Sequence, residues 1–289
     1  MSIQKNKKNG EKMNKVKYLS MFSILVTLII VGCSSDNMET DSVAEYNSGP
    51  FYNEFMACRA GPDFSEENRD EMMSAWRDLS LSDDLMGSWG YAPFDDGTAE
   101  RAEQFSADGW WELQWTSKEA ADAAWNEFSN NEEAAAWSAK YESVLDCDGP
   151  GRYAWNFYHP SPSDTYGEWD ESGYFASFFQ QCTVNEGQTS DDIKAVVSKF
   201  EEYLASAASF GPYTYGLYFP ASELTENAGP ADLLWGNFFN TFEGAEKGFG
   251  DYETNGKEME AAFDEVMTCG DNDVWHTITL YNPDLPDFS

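Results

Sequence analysis

An α+β fold made of two βαββαβ halves is predicted by three observations: a strand-helix-strand unit that recurs four times, a shared Tyr-x-Pro ending on each unit, and a half-to-half match of the cysteines. The endings are Tyr91-Ala92-Pro93, Tyr158-His159-Pro160, Tyr218-Phe219-Pro220 and Tyr281-Asn282-Pro283. With 11 Pro and 15 Tyr in 289 residues, chance would place Tyr two positions before Pro roughly 0.6 times in the chain. Successive prolines lie 67, 60 and 63 residues apart. That is room for one strand, one helix and a closing strand in each unit.

Each unit opens on a run suited to a strand: Phe51 to Cys58, Trp110 to Thr116, Tyr174 to Cys182 and Leu234 to Phe242. Helical spacing follows each run. After the cap candidate Ser65 come Met72, Met73, Trp76 and Leu79. The second stretch, from about Ser117 to Leu145, carries Ala121, Trp125, Phe128, Trp137 and Tyr141 and breaks near Ser129-Asn130-Asn131. The third starts at Ser190 and repeats Ile193, Val196, Val197, Phe200, Tyr203 and Leu204. The fourth, near Gly256 to Thr268, offers Met259, Ala262, Phe263, Val266 and Met267.

Two strand-helix-strand units in tandem make the ferredoxin-like βαββαβ arrangement, and four make it twice. The expected organisation is a first half over residues 50–168 and a second over 169–289, packed sheet to sheet. In this layout the chain resembles the dimeric α+β barrel superfamily, in which two such sheets face each other around a central cavity. Here one chain supplies both, so a monomeric barrel is expected. The resemblance covers the whole mature domain but is one of layout: no signature of antibiotic-biosynthesis monooxygenases, the EthD group, chlorite dismutases or haem-degrading enzymes is found.

The cysteines divide the chain the same way. Cys58 and Cys182 lie late in the opening strands of units one and three; Cys147 and Cys269 end the helices of units two and four. In a βαββαβ sheet the last strand runs antiparallel beside the first, so the end of the second helix arrives near the end of strand one. Of the three pairings that four cysteines allow, Cys58–Cys147 with Cys182–Cys269 is the expected one. No Cys-x-x-Cys or His-x-x-x-His spacing suggests a metal site. The Asp-rich stretches 146–148 and 271–273 lack the glutamate that closes a calcium loop and read as solvated turns.

Residues 1–32 read as a targeting segment: six lysines from Lys5 to Lys17, an apolar run from Tyr18 to Val31, then Gly32-Cys33. Ile30-Val31-Gly32-Cys33 resembles a bacterial lipobox. That resemblance implies cleavage before Cys33, acylation of its thiol, attachment to a membrane through the acyl chains, and an outer-membrane or cell-surface location. Residues 33–49 then form a polar tether. Of 17 basic and 52 acidic groups, six Lys and Glu11 leave with the signal, so 11 basic and 51 acidic remain and the mature net charge is about −40. Such a surface repels phosphate backbones and anionic head groups, which excludes nucleic acid as an expected partner. The excess acid reads as solvation in a salty external medium, with a cationic partner or loosely held Ca²⁺ as the alternative. With 42% hydrophobic and 16% aromatic residues, the chain can bury a sizeable core.

By the period-two rule, Tyr91, Tyr158, Tyr218 and Tyr281 share a strand face with Trp89, Asn156, Gly216 and Thr279. This face is expected to look into the barrel, joined from the opening strands by Met56, Gln114, Gln180 and Asn240 and by Glu54, Glu112, Phe178 and Phe238. His159 and His276, the two candidate neutral-pH bases or haem ligands, have the opposite parity and should face the helices. The tyrosines either line a pocket for a small apolar or aromatic ligand or simply fill the space between the sheets. Candidate ligand-binding residues are therefore Tyr91, Tyr158, Tyr218, Tyr281, Trp89, Gln114, Gln180 and Asn240. Candidate catalytic residues are Glu112, Glu54 and Asn156, the glutamates acting as general bases if an apolar cavity raises their pKa. No nucleotide-binding glycine loop, nucleophile elbow or helix-borne zinc pair occurs, and no cofactor is expected. The leading expectation is non-catalytic binding of a small ligand or an envelope partner. The alternative is a cofactor-independent enzyme of the monooxygenase or isomerase kind using Glu112, Tyr158 and Asn156, and a third reading is a purely structural envelope lipoprotein.

Overall fold

The computed structural model describes residues 48–79, 81–94, 107–160, 169, 172–207, 211–221 and 231–283. The expected signal segment, Cys33 and the expected tether as far as residue 47 lie outside the described residues.

The first half comprises β1 (Ser48–Ala60), α1 (Glu66–Arg77), β2 (Leu85–Pro93), β3 (Gly109–Trp115), α2 (Lys118–Asn130), α3 (Glu132–Tyr141), β4 (Leu145–Cys147) and β5 (Tyr153–His159). The second comprises β6 (Tyr174–Val184), α4 (Ser190–Ser206), β7 (Tyr213–Pro220), β8 (Leu233–Phe239), α5 (Phe242–Asn255), α6 (Lys257–Val266), β9 (Met267–Cys269) and β10 (Asp273–Tyr281). Local chemistry sets the helix ends. Ser65 accepts from the Asn68 amide to cap α1, and Ser117 caps α2 in the same way. The expected break at 129–131 falls where Asn131 ends α2 and caps α3 through the Glu133 and Ala134 amides.

Helix α5 was not expected, because Gly244, Gly248 and Gly250 give this stretch low helix propensity. Thr241 caps it, and tertiary packing overrides the glycine cost: Phe249 meets Phe178 and Phe239 with ring centroids 5.0 and 5.2 Å apart.

The strand order explains why two halves make one body. Within the halves it runs β5-β1-β3-β2 and β10-β6-β8-β7, the ferredoxin-like order in each. The edges then join. β2 pairs with β10 and β5 with β7, all antiparallel, so eight strands close into a ring within one chain. Closure removes the unpaired edges that each half would otherwise present. The helices pack on the outside of the ring, mainly over the strands of their own half, forming two separate apolar clusters that each also take in a strand of the other half, β10 beside α1 and β5 beside the second-half core. A third, almost wholly aromatic cluster occupies the interior.

The short strands β4 and β9 sit off the ring, beside the ends of β1 and β6. Their registers put Cys58 opposite Cys147 and Cys182 opposite Cys269, and both pairs are disulfides with Cα atoms 4.0 Å apart. These are the two pairings expected from the sequence. They cross-link residues 89 and 87 apart, and in the chain-entropy model each stabilises by about 4 kcal/mol.

An eight-stranded ring is just wide enough for a layer of side chains or one small ligand. Room for rings is made by glycine: Gly216 and Gly236 lie opposite each other on the interior face. A Cβ on Gly216 would run into the Phe157 ring, and one on Gly236 would meet Phe238 and Phe179 at 2.7 and 3.0 Å. One end of the barrel is filled by Phe55, which stacks on Tyr153 at 5.8 Å and meets Phe179 edge-on at 6.5 Å.

Candidate functional site

The other end of the barrel, where β3, β5, β8 and β10 finish, holds a cavity of about 350 Å³. Its walls are mainly aromatic: Trp89, Phe157, Trp169, Phe175, Phe238, Tyr91 and Tyr218. Polar groups enter from Asn53, Glu112, Gln114, His159, Thr214 and Asn240. Filling and pocket, the two uses weighed for the interior, thus both occur, one at each end.

Cross-strand register decides which side chains reach this space. Around the ring, Phe55 opposes Glu112, Glu112 opposes Trp89, Tyr91 opposes Thr277, Thr214 opposes Phe238, and Phe157 opposes Tyr218. Directly opposed residues share a face. The expected inward placement therefore holds for Tyr91, Tyr218, Trp89, Glu112 and Gln114, and for Asn240 just beyond β8.

Eight expected placements are corrected: Tyr158, Asn156, Tyr281, Gln180, Phe178, Glu54 and Met56 face outward and His159 inward, Phe178 packing in the helix-side cluster 5.8 Å from Phe239 and 5.0 Å from Phe249. Tyr158 is opposite Leu217 and packs with the helix-side cluster; Asn156, opposite Tyr52 and Phe219, shares that outer face. Tyr281 is turned outward by a bulge after Thr279, pairs with Ser88, and meets Trp76 edge-on at 6.2 Å. Gln180 lies on the outer face of β6, where its side-chain amide donates to the Gly270 carbonyl at 3.0 Å. Glu54 likewise faces the helices with Met56, because in β1 the inward set is Phe51, Asn53 and Phe55. There it accepts from Trp115 Nε1 at 3.0 Å, Trp125 Nε1 at 2.6 Å and Arg152 Nε at 2.7 Å. Glu54 is a buried clamp that holds α2 to the sheet. Conversely His159, expected toward the helices, enters the cavity with the parity of Phe157 and pairs through Nε2 with the Thr214 hydroxyl. His276 stays outside, against Phe94 and Phe242.

The chemistry concentrates at Glu112, which is 0% exposed. Asn53 Nδ2 donates to Oε1 at 2.6 Å and the Tyr91 hydroxyl donates to Oε2, while the Tyr218 hydroxyl lies beside the same carboxylate and helps to hold its pKa down. Among the described residues no Lys or Arg pairs with it. Burial raises its pKa to about 7, the polar groups of Tyr91, Asn53 and Tyr218 holding it below what burial alone would give. Burial and the neighbouring Glu112 charge push the Tyr91 and Tyr218 phenols well above their usual range. A carboxylate has about four acceptor positions, so the two direct donors leave room for a ligand. Asn53, fully buried and in the cavity wall, leaves Oδ1 with no donor. The corner therefore offers a ligand two acceptors. Burial also lowers the His159 pKa to about 4, so it is a neutral imidazole near pH 7.

Asn53 and His159 were missed as site residues. The available signal for Asn53 was its position five before Cys58: a polar residue on the inward face of an otherwise aromatic strand. His159 needed only the correct parity of β5.

Fold and site together define a single-chain α+β barrel with a buried carboxylate in an aromatic cavity, paired with no Lys or Arg among the described residues. No family model matches the chain, and no curated protein matches it. Solved structures with a similar layout include an anthrone oxidase-like protein, at 13% identity over 80% of this chain and 94% of that one, with a TM-score of 0.46. A chlorite dismutase variant from Candidatus Nitrospira defluvii matches at 11% identity over 83% and 95%, with a TM-score of 0.45. A candidate monooxygenase from Lactobacillus acidophilus matches at 11% identity over 81% and 95%, also with a TM-score of 0.45. Likeness at this level concerns layout and transfers no residue role.

The titrations give a signed prediction. Glu112 holds its proton more tightly folded than unfolded between pH 4.5 and about 7, so its contribution to stability falls as pH rises through that window. His159, with a folded pKa of about 4 against 6.5, contributes the reverse: stability rises with pH from 4 to 6.5. The two oppose each other from 4.5 to 6.5. Glu112→Gln removes only the falling limb, so its unfolding free energy minus that of the unmodified protein should climb by on the order of 3 kcal/mol from pH 4.5 to 7 and then level off. Urea melts across this range would show it. A pH-independent difference would place Glu112 in water.

Proposed function

We propose that the barrel binds a small, flat, largely aromatic molecule bearing an acidic O–H or activated C–H, and that Glu112 is the general base that takes its proton. The carrying observation is the fully buried Glu112 carboxylate, bonded by the Tyr91 phenol and the Asn53 amide with Tyr218 alongside and, among the described residues, paired to no Lys or Arg, beside a 350 Å³ aromatic cavity. A pKa of about 7 leaves it ionised often enough to accept a proton and acidic enough to return it. The step is simple: an O–H or C–H bond of the ligand breaks, the proton passes to a Glu112 oxygen, and the electron pair stays on the ligand as a phenolate or enolate. Once Glu112 is neutral, the Tyr91 and Tyr218 hydroxyls are free to turn toward the new oxyanion, the transition-state charge that such donors stabilise. Asn53 Oδ1 orients the donor before transfer. This reading is the cofactor-independent enzyme of the isomerase or monooxygenase kind, with Tyr91, Tyr218 and Asn53 in the supporting roles.

Two naphthalene probes test it. In D₂O the protein should speed exchange of the C1 proton of 2-naphthol, followed by proton NMR, by about a hundredfold over Glu112→Gln. By calorimetry, 2-methoxynaphthalene, which lacks the donor, should bind the two proteins alike. Equal exchange rates in the two proteins would remove Glu112 from the chemistry, and failure of either probe to bind would remove the pocket.

The location proposed for this barrel is a membrane surface, outer membrane or cell exterior, with the barrel held by acyl chains on Cys33. The support is the lipobox-like Ile30-Val31-Gly32-Cys33 after a basic and apolar leader. Acid-rich as the mature chain is, attachment to anionic lipid needs those chains. Cys33→Ser expressed in a bacterial host should lose labelled-palmitate incorporation and leave the membrane fraction; unchanged labelling would refute the anchor.

A further inference from the structure

A cavity roomier than the barrel interior lies outside the ring. It is a cleft of about 690 Å³ between α1, α2, α3 and the outer face of the first-half sheet. We propose that this cleft is a second binding site, for an apolar molecule carrying a positively charged ammonium group.

The cleft is specific to one half. Counted from Cys58 and Cys182, Trp111, Leu113 and Trp115 correspond to Trp235, Asn237 and Phe239, yet the corresponding second-half space holds about 310 Å³. The cause is helix length. α1 and α4 start at equivalent caps, Ser65 and Thr189, but α1 runs 12 residues and α4 runs 17. The extra turn of α4 brings Tyr203 and Leu204 onto the core, Tyr203 meeting Tyr252 at 5.6 Å. In the first half the position of Tyr203 is taken by the smaller Leu79, just past the end of α1, which lines the cleft and fills less of it.

The chemistry of the walls selects the occupant. Five tryptophans line the cleft: Trp76, Trp111 and Trp115 buried at its floor, Trp125 and Trp137 half-buried at its sides. The charged residues of its lining are Glu127, Glu142 and Asp146, all exposed; Lys, Arg and His are absent from it. An apolar body gains by burial there. A carboxylate or sulfate head would meet three like charges, whereas an ammonium meets opposite charge and indole rings other than that of Trp125, which the Arg152 guanidinium already covers 4.5 Å from its centroid. Charge and shape thus favour a cationic amphiphile over a fatty acid.

Three eight-carbon probes with different heads test the site on the mature full chain by calorimetry: octyltrimethylammonium, 1-octanol and octanoate. The ammonium should bind about tenfold tighter than the alcohol and octanoate weakest, with the ratio shrinking at about 0.5 M salt. The exposed pair Glu142→Gln with Asp146→Asn should cut the ammonium preference severalfold and leave octanol binding unchanged. Ala135→Trp, an exposed residue on the cleft wall, should weaken all three, and Glu112→Gln should change none of them. Equal affinity for the ammonium and the alcohol would overturn the proposal. So would Ala135→Trp binding all three as well as the unmodified chain, or Glu112→Gln abolishing binding, since either would put the probes elsewhere.

Discussion

Closure of eight antiparallel strands into one ring is the constraint from which the rest follows. Each half alone would present two open sheet edges and one uncovered aromatic face. The β2–β10 and β5–β7 pairings satisfy those edges with each other and bury those faces in a common interior. Once the ring is closed, strand parity leaves no freedom: a residue faces either the helices or the interior, and its cross-strand neighbour must do the same. Glu112 is drawn into an apolar interior by this rule. Its environment, more than its identity, makes it a group that titrates near neutrality.

The duplication is visible in the packing but not in the chemistry. Position for position, Asn53, Glu112 and Gln114 of the first half correspond to Ser177, Gly236 and Phe238 of the second. Ser177 spends its hydroxyl on Thr277 at 2.6 Å, and Gly236 makes room for the rings of Phe179 and Phe238. One half supplies polar groups and the other supplies filler. The outer layers diverge likewise, the longer α4 closing a space that α1 leaves partly open. A barrel assembled from two copies of one chain would have to repeat every such residue, whereas a fused barrel can assign binding to one side and stability to the other.

How much of this was legible in the sequence depends on which signal carried it. The four units, the two halves and both disulfides rest on long-range recurrence, which local propensity cannot obscure. Tyr91 and Tyr218 were placed correctly because β2 and β7 occupy equivalent positions and keep the same phase to their prolines. Tyr158 and Tyr281 do not: Pro160 follows its cysteine by 13 residues and Pro283 by 14, and a bulge in β10 adds a further change of face. Apparent fourfold equivalence was therefore twofold. β1 gave no clue to its phase, since Tyr52, Glu54 and Met56 on one side look as mixed as Phe51, Asn53 and Phe55 on the other. Only the register against β3 and β5 separates the Glu54 clamp from the Asn53 ligand corner, and register is a property of the closed sheet.

Selective ¹³C labelling of glutamate side-chain carboxyls, with the Glu112 resonance identified by its loss in Glu112→Gln, reads the central claim at one atom. The account predicts a titration midpoint near 7, well separated from the exposed glutamates. A midpoint near the ordinary 4.5 would mean that the carboxylate is hydrated, that the ring does not enclose it, and that the barrel interior is not the site described above.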